Sequence, residues 1–167
     1  FHLWVPDVYQ GAPTSVTVLM STGVKAASFA AFGRLVYGVM GSHAIWWSHG
    51  LWGMAALTML IGNLAALVQD DLKRVLAYSS VAHAGYLLMA LAAVGPEGAA
   101  GSQSIGSILF YSLSYTLMSA GTFAILTLLV TDGNDDTDIS QLAGLGRSNP
   151  WLAAGLSICL LSLAGIP

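Results

Sequence analysis

Apolar residues run almost without interruption over stretches at about 14–40, 51–68, 75–94, 105–130 and 149–167, and the polar residues gather between them. A helix needs roughly 20 apolar residues to cross the hydrocarbon core. Lipid offers no partner for backbone N–H and C=O groups, so runs of this kind are read as helices that satisfy their own backbones. The pattern predicts an all-α, polytopic transmembrane helix bundle in one transmembrane domain covering residues 1–167.

The breaks in the pattern set the boundaries. Pro6, Gly11 and Pro13, with Asp7 and Gln10 between them, make residues 1–13 a loop or a short interfacial segment. Pro13 closes it, and Thr14 or Ser15 can cap the helix that follows. At about 1.5 Å per residue, Thr14 to Met40 spans roughly 40 Å, enough for a tilted crossing. Trp46 and Trp47, flanked by His43 and His49, suit the headgroup zone that precedes the second span. Gln69 to Arg74 is the densest charge cluster and separates the second span from the third. Gly95 and Pro96 stop the third, and Gly98 to Ser104 reads as a flexible polar connector. Asn149 and Pro150 mark the start of a fifth span as N-cap and first helical residue. Gly165-Ile166-Pro167 would break that helix partway across.

Spans alternate in direction, so Lys73, Arg74 and Arg147 fall on the side of Phe1, and only Arg34 falls on the other. The positive-inside rule then makes the loops at 1–13, 69–74 and 131–148 cytoplasmic in a multi-pass membrane protein.

Composition narrows the function. Five Lys and Arg against eight Asp and Glu, 56% apolar residues and a mean hydropathy of +0.73 are membrane-protein values. No basic surface offers itself to nucleic acid. Cys159 is the one cysteine, and no Cys and His spacing suits a zinc, haem or iron-sulfur site, so no cofactor or metal is expected in this chain. A start on Phe1 and an end on Pro167 in an apolar run lead us to expect an internal piece of a longer protein.

One charge stands inside the apolar runs. Lys25 lies near the middle of the first span, where an ammonium costs about 2.5 to 3.5 kcal/mol by insertion scales. Such residues face a polar interior and mark ion or proton routes, or they pair permanently with an acid on another helix. Ser21, Thr22 and Ser28 stand one turn away at helical spacing and offer it hydroxyls. His83, central in the third span, has Ser79 and Ser80 one turn before it and Tyr86 three residues after. Imidazole relays protons because it titrates near neutral pH through two distinct nitrogens. A lone histidine serves equally as a hydrogen-bonded packing residue, and serines in apolar helices often bond back to their own backbone. Tyr111, Ser112, Tyr115, Ser119 and Thr122 share one face of the fourth span and suit either a water chain or interhelical hydrogen bonds.

Several stretches carry a family resemblance. Phe1-His2-Leu3-Trp4-Val5-Pro6-Asp7-Val8-Tyr9-Gln10-Gly11-Ala12-Pro13-Thr14, Gly62-Asn63-Leu64-Ala65-Ala66-Leu67, and Lys73-Arg74-Val75-Leu76-Ala77-Tyr78-Ser79-Ser80-Val81-Ala82-His83-Ala84-Gly85-Tyr86 resemble signatures of the subunit N family of the proton-pumping NADH:quinone oxidoreductase, respiratory complex I. So does Leu161-Ser162-Leu163-Ala164-Gly165-Ile166-Pro167, which in that family precedes a broken helix. The resemblance implies a fragment of the antiporter-like inverted-repeat fold: the end of the seventh helix, helices eight to eleven and the first half of the twelfth. It implies a proton-translocating subunit of an electron-transport translocase, coupled to reduction of ubiquinone or another quinone in other subunits. NADH, FMN, iron-sulfur clusters and quinone belong to those other subunits, and this chain carries no redox centre. The expected partners are other membrane subunits of complex I and the lipid bilayer. The family's channel lysine falls on Lys25, and its polar axis takes in His83. Sister subunits carry ionisable residues where this chain has Tyr111, Tyr115 and Ser119, which implies transfer by hydroxyls or water. The family's remaining channel ionisables lie outside the chain. The alternatives are a subunit of a multisubunit cation/proton antiporter and a structural membrane subunit without its own proton route.

Overall fold

A computed structural model describes residues 3–40, 44–93, 98–129 and 137–166. Gly41, His43, Gly95, Pro96, Pro167 and most of the acidic loop lie outside them. The fold is an all-α bundle of apolar helices, and every regular element among the described residues is helical.

Residues 1–13 depart from the expected loop, because they carry α1 (Val5–Gly11). Pro6 lies in its first turn, where a missing N–H breaks no helical hydrogen bond, so the proline that suggested a loop starts a helix instead. The first long helix is built from α2 (Thr14–Leu19), a π-helical turn at Met20–Val24 and α3 (Lys25–Met40). Pro13 occupies its N-cap position and no side chain caps it, so neither Thr14 nor Ser15 plays the expected role. Thr17 Oγ1 instead donates to the carbonyls of Pro13 and Tyr9, at 3.3 and 3.4 Å, and ties α2 to α1.

The second helix, α4 (Ala44–Ala66), begins earlier than the apolar run suggests, since its tryptophans continue the helix. α5 (Leu72–Ala92) follows, capped by the Asp71 carboxylate, which accepts from the Arg74 N–H. α6 (Gly98–Leu129) takes in the stretch expected as a connector. Ala99 and Ala100 favour helix there and no proline interrupts them. A 3-10 turn (Ile139–Leu142), the short α7 (Leu145–Ser148) and α8 (Pro150–Leu163) complete the chain. Asn149 occupies the N-cap position of α8 without a side-chain capping bond.

Thr14–Val36, Leu72–Ala92 and Ile105–Leu129 are long and apolar enough to cross a membrane, and α8 is a shorter apolar helix. Their outer faces are hydrocarbon: Leu57, Leu60, Ile61 and Leu64 line one stripe of α4, and Leu109, Leu113 and Leu117 one of α6, all exposed. Burial of leucine drives nothing in lipid, so close contact between small residues must hold the helices together. A Cβ placed on Gly62 would lie 2.8 Å from the Ala82 backbone nitrogen, and one on Gly85 would lie 3.0 Å from the Ala55 carbonyl oxygen. These glycines bring α4 and α5 together backbone to backbone. At α6 and α8, a Cβ on Gly121 would meet Cys159 Sγ at 2.9 Å.

One end of the bundle is tied by polar groups. The Arg74 guanidinium donates to Asp7 Oδ1, Gln10 Oε1 and Gln69 Oε1, each at 2.9 Å. Thr137 Oγ1 donates to Asp71 Oδ2 at 2.7 Å, and Ile139 N–H donates to the Asp70 carbonyl. Thus α1, the 69–74 segment and residues 137–139 meet at the same end. The Ser140 N–H and hydroxyl hold the Asp138 carboxyl below its usual range.

Candidate functional site

The π turn ends at Val24, so Lys25 is the first residue after it. An inserted π turn widens the helix and re-aims the side chains that follow, a feature common at functional sites. Lys25 points across to α5, where its Nζ donates to the Ser80 carbonyl at 2.5 Å and to Ser80 Oγ at 3.0 Å. It also lies over the Tyr115 ring, 4.0 Å from the centroid, where the ring's negative face attracts an ammonium. The chain's carboxylates all lie in α1 or in the connections between helices, so no acid of this chain lies within α2–α6 or α8.

The hydroxyls expected around Lys25 bond elsewhere. Ser21 and Thr22 both donate to the Val18 carbonyl, at 3.0 and 2.7 Å, and Ser28 donates to Val24 at 2.7 Å. Each spends its proton on its own helix, as serine and threonine do in apolar helices. Ser28 still lines the cavity beside Lys25. Ser79 is half-buried and brings no hydrogen bond to the cluster.

Ser80 is the node. It shares one cavity with Lys25 and with Tyr9, from α1, and Lys25 links it to the Tyr115 ring of α6. Ser119, one turn beyond Tyr115 on α6, is 3% exposed. Burial pushes the Tyr9 phenol up to about 12, so it keeps its proton at neutral pH. The membership of Tyr9 is not apparent from the sequence, where its segment reads as a loop. The signal that finds it is an aromatic residue within the prolyl signature that opens the chain.

His83, one turn beyond Ser80 on α5, stacks at a tilt against Tyr115 with 4.8 Å between centroids. Its Nδ1 is hydrogen-bonded to the Tyr111 hydroxyl, and Tyr86 meets the ring edge-on at 5.6 Å. The imidazole and Leu163, at the end of α8, line the same cavity. Gly165, at φ 89°, turns the chain so that Gly165 and Ile166 N–H groups donate to the carbonyls of Ser162 and Leu161. This Schellman arrangement satisfies those two carbonyls. His83 thus bonds α6 from α5 and faces the terminus of α8 across one cavity.

Two cavities flank the cluster. One of about 220 Å³ lies on the α1 side and is lined by Trp4, Tyr9, Lys25, Ser28 and Ser80 among others. One of about 410 Å³ lies beyond His83, against Tyr86, Tyr111, Tyr115 and residues 162–166. Between them the polar atoms run from Lys25 through Ser80 and Tyr115 to His83 and Tyr111. Among the described residues no group of three His, Cys, Asp or Glu side chains could hold a metal ion. The arrangement suits the movement of protons between hydroxyl, amine and imidazole groups.

The chain is similar to known proteins over its whole length. The family model described as NADH:quinone oxidoreductase/Mrp antiporter, TM, matches residues 1–167. NADH-quinone oxidoreductase subunit N of Trichlorobacter lovleyi is 47% identical over 167 residues, covering all of this chain and 33% of that protein. NADH-quinone oxidoreductase subunit N 3 of Streptomyces griseus is 46% identical, covering all of this chain and 29% of that protein. The chain thus spans about a third of the length of such relatives. In respiratory complex I from Thermus thermophilus, one chain superposes with a TM-score of 0.78 at 39% identity, over 100% of this chain and 34% of that one. A chain of the membrane-bound sulfane sulfur reductase, an archaeal respiratory membrane complex, superposes with a TM-score of 0.82 at 28% identity, over 98% of this chain and 32% of that one. The motifs, the bundle and these likenesses agree, and the chain belongs to the NADH:quinone oxidoreductase/Mrp antiporter transmembrane family.

Proposed function

We propose that this chain is part of a proton-translocating membrane subunit of an NADH:quinone oxidoreductase, and that Lys25, Ser80, Tyr115, His83 and Tyr111 form a segment of its proton route. The observation that carries the reading is the setting of Lys25. Its ammonium is held by a carbonyl and a hydroxyl, with no acid of this chain within α2–α6 or α8 to fix its charge. A lysine so placed can lose and regain a proton, whereas a permanent ion pair would hold it charged. Quinone reduction in other subunits would drive the electrostatic or conformational change that alters its protonation. Electrons and their cofactors, NADH, FMN, iron-sulfur clusters and quinone, stay in those subunits. The subunit would sit among other membrane subunits of the complex in a bacterial inner membrane, with the 1–13, 69–74 and 131–148 segments on the cytoplasmic side.

Replacement Lys25→Ala in the assembled complex tests this. NADH-driven proton translocation per electron is expected to fall; normal stoichiometry with intact assembly would refute the role. The same family includes cation/proton antiporters, and the likeness to proteins named subunit N, at 42% to 47% identity, favours the oxidoreductase. Co-purification of the full-length protein with quinone-reducing activity distinguishes the two.

A further inference from the structure

The surroundings of Lys25 differ from one side to the other. An ammonium carries three protons. Two of them go to a single residue of α5, to the Ser80 carbonyl at 2.5 Å and to Ser80 Oγ at 3.0 Å. Toward α1 the side chain borders the cavity of about 220 Å³, which has room for water. Toward α6 the space bounded by Thr22, Lys25, Ser112, Tyr115 and Thr116 is about 10 Å³, at the limit of what a single water needs. On that side the charge meets the Tyr115 ring, 4.0 Å from its centroid.

These partners differ in what they favour. A carbonyl or hydroxyl oxygen accepts an N–H from an ammonium and, less strongly, from a neutral amine. The negative face of an aromatic ring is drawn to the charge itself, most of all where water is excluded, and has little hold on a neutral amine. The Tyr115 ring therefore distinguishes the two protonation states of Lys25, and no carboxylate of this chain lies within α2–α6 or α8 to do so in its place. The ring is also fixed where it stands: Tyr115 is 6% exposed, and His83 leans on it with 4.8 Å between centroids. The titratable groups around Lys25 are thus Tyr115 of α6, His83 of α5 on the same ring, and Tyr9 of α1 across the larger cavity, to which α4 brings the Thr58 hydroxyl.

We propose that the aromatic ring of Tyr115 positions the Lys25 ammonium and sets how readily Lys25 takes up and releases its proton. This rests on the reading of Lys25 given above. With Lys25 charged, the ammonium lies over the ring and against Ser80. When the proton leaves, the attraction to the ring goes with it, while the oxygens of Ser80 still hold the neutral amine. The ring stabilises the charged state alone, so weakening its negative face makes Lys25 release its proton at lower pH.

Ring fluorination at position 115 tests this, because it keeps the shape of the ring while weakening its negative face and, in pentafluorophenylalanine, reversing it. Tyr115→Phe is the reference, and the readout is the pH profile of NADH-driven proton pumping in membrane vesicles carrying the assembled full-length complex. Relative to Tyr115→Phe, pentafluorophenylalanine should move the alkaline limb to lower pH by about one unit, a roughly ten-fold easier loss of the proton. Difluorophenylalanine should fall between the two. A limb that stays in place across the series, or moves to higher pH, overturns the proposal. If Tyr115→Phe fails to assemble, trifluorotyrosine keeps the hydroxyl on a weakened ring; the same downward shift is expected, and an unmoved limb again overturns the proposal. Lys25→Ala is run beside these variants. Impaired pumping there with an unmoved limb in the ring series removes the role of Tyr115 and leaves the proposed function standing, whereas normal pumping in Lys25→Ala overturns both.

Discussion

At the residue scale, the ionisable groups announce themselves and their partners do not. Lys25 and His83 stand out because a charge or an imidazole in an apolar run is costly and rare. Which hydroxyl serves Lys25 is decided by competition. Ser21, Thr22 and Ser28 share its neighbourhood at helical spacing, yet each finds a carbonyl of its own helix within 3.0 Å. Ser80 reaches it from 55 positions away along the chain, a distance no periodicity encodes. Ser80→Ala removes one of the two acceptors of Lys25 and keeps the carbonyl, so pumping should fall less than in Lys25→Ala; an equal loss in parallel vesicle assays would contradict this ranking. His83→Ala should slow proton transfer in the assembled complex, whereas unchanged transfer would make His83 a packing residue. Tyr111→Phe deprives His83 Nδ1 of its partner, which should cost about 1–3 kcal/mol as for other buried unsatisfied groups. The melting temperature of the purified complex measures that loss.

At the element scale, the long apolar helices are legible because their composition and length leave no other structure in lipid. Their ends are less so. α1 is hidden by the breakers Pro6, Gly11 and Pro13, which in combination resemble a loop although proline in a first turn starts helices. α6 extends back to Gly98 through a stretch whose glycines and serines look like a connector. The π turn at Met20–Val24 leaves no mark in composition, and it is the element that aims Lys25. The helix contacts make a sharp forecast. Gly62→Ala puts a methyl against the Ala82 backbone at 2.8 Å, where nothing flexible can yield. It should cost about 1–3 kcal/mol, as overpacking does elsewhere. Gly53→Ala, in the same helix with nothing within 4 Å, should be neutral or slightly stabilising. The amount of assembled subunit in membranes and its thermal aggregation temperature report both, and equal effects would contradict the close-contact account of α4 and α5.

At the scale of the whole molecule, the charge distribution and the packing agree on which loops belong together. Counting basic residues groups 1–13, 69–74 and 131–148 on one side, and the structure joins α1, Arg74 and Thr137 to Ile139 at one end. A membrane-impermeant thiol reagent can assign that end. In a Cys159→Ser background, Ser140→Cys should be labelled from the cytoplasmic face and His49→Cys from the opposite one; the reverse pattern would invert the topology. The central claim is that Lys25 changes its protonation as the complex works. Infrared difference spectroscopy of the assembled complex, recorded with and without nitrogen-15 lysine, reads this directly. NADH-driven turnover should produce an isotope-sensitive lysine signal that vanishes in Lys25→Arg. A difference spectrum unaffected by that substitution, in a complex that pumps normally, would contradict the account.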